Sequence, residues 1–142
     1  MTNDVAVGTS AGASAPTRGS DLSAVVADAF AREVSRRLPG LRSWLGDATH
    51  PGYDVDPEGL DVALRAAHTL ASGAAVVGLT TAAAFLRAAE IALSGAERPD
   101  RASYELARAA RLVERAAVAL DAALPALTSA AAGAGDGATP DA

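Results

Sequence analysis

The chemistry this chain could carry centres on one histidine and one glutamate. His68 lies in Arg65-Ala66-Ala67-His68-Thr69-Leu70-Ala71-Ser72-Gly73-Ala74-Ala75-Val76-Val77-Gly78, where nearly every neighbour is small. An imidazole among alanine, serine and glycine is sterically open on its own helix. A partner macromolecule could therefore reach a ring nitrogen, as a phosphate-carrying histidine requires. The other histidine, in His50-Pro51-Gly52, belongs to turn chemistry and reads as surface. Taken alone, His68 would be an ordinary boundary histidine; Glu90 changes that. It falls within the apolar stripe Leu79, Ala82, Ala83, Leu86, Ala89 and Leu93 rather than opposite it, and a carboxylate aimed at a core is costly unless it has a partner.

The elements that must position these two groups are helices. His68 precedes Gly78 by ten residues and Glu90 follows it by twelve. If the chain reverses at Gly78, a rise of ~1.5 Å per residue brings both to nearly the same height on adjacent antiparallel helices. Glu90 can then accept a hydrogen bond from one imidazole nitrogen, which fixes the tautomer and leaves the other nitrogen as nucleophile. Asp56-Pro57-Glu58 supplies a cap, a proline at the first helical position and an acid in the first turn, so a helix is expected from there to about Val77. A further helix should run from about Leu79 to Leu93, and Ser94 to Asp100 closes it.

Upstream, Ser20 or Asp21 can cap a helix whose stripe is Leu22, Val25, Val26, Ala29, Phe30, Val34, Leu38, Leu41 and Leu45. Pro39-Gly40 should kink it or break it into two nearly coaxial pieces. Gly46 to Val55 is dense in turn residues and reads as a loop. A last long helix carries Leu106, Val113, Ala117, Leu120 and Leu124. No segment reads as a strand. The fold class expected is all-α, an antiparallel up-and-down four-helix bundle of four or five helices. The bundle should occupy residues 20–128, between disordered tails at 1–19 and 129–142 whose Gly, Ala, Ser and Thr bury too little apolar surface to order them.

Composition narrows the function. A chain of 142 residues holds one small domain. Its formal charge of −5 argues against general affinity for nucleic acid or anionic membrane. There is no cysteine, so neither a disulfide framework nor a thiolate metal site is expected, and with only two histidines no metal site is assigned. Met1 to Ser20 lacks the pattern of a secretion signal, and no apolar run reaches the ~18 residues of a membrane span. A cytoplasmic location is the expectation. Phosphate-binding loops, nucleophile elbows and dinucleotide fingerprints are absent.

The residues around His68 resemble the histidine-containing phosphotransfer (HPt) family. Its members carry a phosphorylatable histidine in a pattern near His-x-Leu-Lys-Gly-Ser/Ala-Ser/Ala, with a glycine about ten positions on. Here the run is His68-Thr69-Leu70-Ala71-Ser72-Gly73-Ala74, then Gly78. Leu64 to Ala67 and, on the first helix, Phe30, Glu33 and Val34 look like the family too. The closest resemblance is to the phosphotransfer domains of chemotaxis-type histidine kinases, in which a glutamate on the next helix holds the active imidazole. Glu90 stands at the matching place.

That resemblance, over roughly residues 22 to 124, implies a phosphorelay protein without ATP-dependent kinase activity of its own. His68 would be the phosphoacceptor and Glu90 would orient it. The implied partners are a sensor histidine kinase and a response-regulator receiver domain; the latter would bring the magnesium ion, so no resident cofactor is expected, and the chain is expected to be a monomer. One departure stands out. The family's lysine three residues after the histidine is Ala71 here, and the next glycine is Ser72. Arg65 and Arg87 are the candidate replacement cations. Partner contact is expected at Asp61, Ala71, Ser72, Ala75 and Val76. The missing lysine supports an alternative, an adaptor that binds receiver or kinase domains without transfer. A purely structural, self-associating bundle is a third possibility.

Overall fold

The computed structural model describes the backbone of residues 2–137 and the side chains of 22–130. Four helices follow one another: α1 (Thr2–Ala48), α2 (Pro57–Val76), α3 (Thr80–Gly95) and α4 (Ala102–Gly137). No strand occurs among the described residues. Neighbours in sequence pack together, and α1 closes the ring against α4, while the backbones of α2 and α4 stand apart across the core. The result is the all-α, up-and-down four-helix bundle the periodicity predicts. The tails expected at 1–19 and 129–142 fall almost wholly outside the residues described in full.

Local chemistry accounts for the helix ends. Asp56 is extended (φ −81°, ψ 118°), and its carboxylate accepts the backbone N–H groups of Glu58 and Gly59, ahead of Pro57 at the first helical position. At the other end of α2, Gly78 takes φ +82°. The Leu79 N–H then reaches the Ala74 carbonyl at 2.8 Å and the Gly78 N–H reaches Ala75 at 3.1 Å. These paired bonds satisfy carbonyls that the helix leaves open, and a left-handed residue without a side chain makes them possible. The reversal at Gly78 is therefore encoded in that glycine.

One expectation is corrected. Of the kink or break expected at Pro39-Gly40, the break does not occur: α1 runs through both, and through the expected cap at Ser20 and Asp21. Pro39 and Gly40 face solvent together with Ser35, so water can satisfy the carbonyl whose helical partner the proline removes. Leu38, Leu41 and Leu45 are buried on the opposite side. Continuous packing of that stripe outweighs one lost hydrogen bond.

The core is built from leucine and alanine. Leu45, Leu70, Leu86, Leu93, Leu106, Leu120 and Val113 are fully buried, with alanines such as Ala67, Ala74, Ala89 and Ala109 filling the spaces between them. Small side chains let the helices approach closely. On α2 the buried set is Leu60, Ala63, Ala66, Ala67, Leu70, Ala71 and Ala74, while Leu64 and Val77 are only partly buried. Two glycines let α1 and α2 approach closely: a Cβ at Gly73 would lie 2.6 Å from the Phe30 ring, and one at Gly59 would lie 2.5 Å from Trp44 Nε1.

Candidate functional site

His68 sits midway along α2, on the flank that faces α3, and Glu90 stands level with it across the groove. The Nδ1–H of His68 donates to Oε2 of Glu90 at 2.9 Å. An ionised carboxylate can only accept, so Nδ1 carries the proton in this pair, and in the neutral imidazole the lone pair is then on Nε2. The imidazole side chain is 62% exposed and that of Glu90 29%. Glu90 is thus largely covered in the groove while most of the imidazole is open to solvent. The pairing inferred from helical rise about Gly78 is present.

The surrounding charges are not equivalent. Arg65, one turn before His68, is held by Asp61 at 2.6 Å, an ion pair between two exposed side chains on the same helix. Arg87, one turn before Glu90, is exposed and makes no ion pair among the described residues. Because His68 and Glu90 are level, antiparallel geometry puts Arg87 level with Ala71. A cation therefore stands at the height where the family's lysine would be, on the neighbouring helix.

The expected contact surface is only partly there. Ala75 and Val76 are exposed, Val76 strongly so, and Ser72 is half-buried. Ala71 is the correction: it is fully buried in the core and offers no surface to a partner. Alanine is compatible with either side of a helix, so its type gives no warning. Arg37 is the residue the sequence did not single out. It extends from α1 into a shallow groove of about 630 Å³ that Arg65, His68, Thr69 and Glu90 also line. Glu33 holds Arg37 through its Nε, and Arg36 as well. The hydrogen bond from Arg37, aided by the charge of Arg36, keeps the Glu33 carboxyl below its ordinary pKa. His50 lies in the turn after α1, its N–H donating to the Asp47 carbonyl and its own carbonyl accepting from Tyr53, as its Pro-Gly context predicts.

The arrangement can orient one neutral imidazole and expose its Nε2 as a nucleophile. No group of side chains suited to holding a metal ion occurs among the described residues, and no helix is long and apolar enough to cross a membrane. The family model for the Hpt domain matches residues 25–130, most of the chain and all of the described bundle core. No curated protein and no solved structure gives a match.

Proposed function

The chain belongs to the Hpt domain family, whose members work with histidine kinases and receiver domains in phosphorelays, and from that premise we propose that His68 is its phosphoacceptor. The observation that carries this is the 2.9 Å hydrogen bond from His68 Nδ1 to Glu90. With Nδ1 protonated, the Nε2 lone pair attacks the phosphorus of a receiver's phosphoaspartate. The acyl-phosphate P–O bond breaks and the aspartate carboxylate leaves. The imidazole then carries positive charge, which the Glu90 carboxylate balances through the same hydrogen bond. The return reaction reverses these steps.

Little else is required of the bundle. A receiver domain supplies the magnesium ion and most of the stabilisation of transferring charge, and this chain presents the imidazole. Arg87 is the better replacement for the absent lysine, because Arg65 is already taken by Asp61. Asp61, Ser72, Ala75 and Val76 form the neighbouring contact surface. His68 and Glu90 come from one chain, so a monomer is sufficient. Likeness to the phosphotransfer domains of chemotaxis-type kinases rests on Glu90 at its matching position.

Phosphotransfer from a labelled receiver domain to the purified chain tests this directly. Acid-labile label should appear on the wild type and be absent from His68→Gln. Label that persists in His68→Gln would overturn the assignment. One observation favours the alternative, an adaptor without chemistry: the lysine position is filled by buried Ala71. That reading requires an unlabelled wild type and receiver binding that survives His68→Ala.

A further inference from the structure

The outer face of α4 carries a feature that phosphotransfer at His68 does not use. Arg101, Tyr104, Arg108, Arg111, Arg115 and Val118 recur at alternating spacings of three and four. On a helix they form one straight row ~25 Å long. Four of the chain's twelve basic residues lie on it, in a protein whose formal charge is −5.

The acids of the same segment are turned away. Glu105 is buried, with its carboxylate lying against Gly95 of α3. Glu114 is engaged from the side by Arg42 of α1 through two hydrogen bonds, of 2.8 and 2.7 Å. Arg101 and Arg108 lie 3.3 and 3.9 Å from Glu105, whereas Arg111 and Arg115 form no ion pair among the described residues. The row thus sets four guanidinium groups beside the buried carboxylate of Glu105, while Glu114, at its side, is already held by Arg42. Tyr104 and Val118, 61% and 69% exposed, add contact area within the row and at its far end.

We propose that this row docks an acidic helix of a partner protein. Its spacing is that of a second helix lying alongside, with Asp or Glu recurring every three to four residues. Guanidinium groups bind carboxylates in paired hydrogen bonds, and exposed arginine and tyrosine are the side chains on which interfaces concentrate their energy. Nucleic acid is the less suitable polyanion, because the remainder of this acidic chain would repel it and no second basic row flanks the first. Since α2 and α4 stand diagonally across the bundle, a helix on the outer face of α4 leaves His68 open. The docking site does not depend on the phosphotransfer assignment.

A fluorescein-labelled synthetic helical peptide with glutamate at three- and four-residue spacing is the probe. Anisotropy should detect binding at about 0.01 M salt that weakens at about 0.15 M, with amide shifts along residues 104–118. The double variant Arg111→Glu with Arg115→Glu should lose at least about tenfold in affinity. The charge-matched control Arg32→Glu with Arg98→Glu should lose less than about twofold. Absence of binding, an equal loss in the control, shifts centred on His68, or tighter binding to a short DNA duplex than to the peptide would each overturn the proposal. Labelling of His68 by a phosphorylated receiver reports separately on phosphotransfer.

Discussion

In the proposed transfer, the one hydrogen bond between His68 and Glu90 has two tasks: to choose the tautomer, and to balance the charge that phosphorylation would put on the ring. A hydrogen bond to a charged group is worth ~1.5–3 kcal/mol. If that value is expressed at the transition state, Glu90→Ala should slow transfer to His68 by about 10- to 100-fold, measured as the rate of acid-labile labelling. Thermal stability should change little, because Glu90 lies at the edge of the core. An unchanged rate would remove Glu90 from the mechanism. The arginines give a second contrast. Arg87 is free and level with Ala71, whereas Arg65 is tied to Asp61. Arg87→Ala should therefore slow transfer or shorten the phosphohistidine lifetime by ~2- to 5-fold, the scale of a single exposed charge, and Arg65→Ala by less. The opposite order would show that the Asp61 pair opens when phosphate arrives.

Each helix shows which signals are local and which are not. The level of His68 with Glu90 was legible because it needs only helical rise and one turn at Gly78, and Asp56-Pro57 announces the start of α2 as plainly. Continuity through Pro39 was not legible. The local rule, a missing N–H and a steric clash, points to a break; the deciding term is burial of Leu38, Leu41 and Leu45 against other helices. Ala71 and Arg37 were hidden for a related reason. Whether an alanine faces in or out, and whether an arginine on α1 reaches a groove beside α2, depends on how helices rotate and pack. Continuity of α1 has a measurable consequence. Proline costs ~3 kcal/mol relative to alanine inside a helix, offset by ~0.4–1 kcal/mol from its stiffening of the unfolded chain. With the helix already intact around it, Pro39→Ala should stabilise by about 1–2 kcal/mol and raise Tm by several degrees, read by thermal circular dichroism. A lower Tm would mean that the proline marks a real break.

Charge governs the molecule as a whole when it is acidified. As carboxylates among the seventeen acidic residues protonate, the twelve arginines and two histidines remain as uncompensated positive charge, so the folded bundle loses attraction and gains repulsion together. Glu33 has an identifiable share in this. Its carboxyl is held below its ordinary value of 4.5, first by the hydrogen bond from Arg37, which outweighs the opposing effect of desolvation, and then by the charges of Arg36 and Arg37. A carboxyl whose folded pKa is depressed stabilises the fold at every pH above the unfolded value. That contribution starts to fall near pH 4.5 and is gone once the pH is below the folded value, where both states bind the proton. Glu33→Gln should therefore lower stability at pH 7 and make unfolding less steeply dependent on pH below 4.5, so that wild type and variant converge in acid. Urea unfolding followed across pH 3 to 7, on the pH scale over which ordinary carboxylates titrate, measures this. Parallel curves that keep their separation in acid would show that Glu33 acts through packing rather than through its charge.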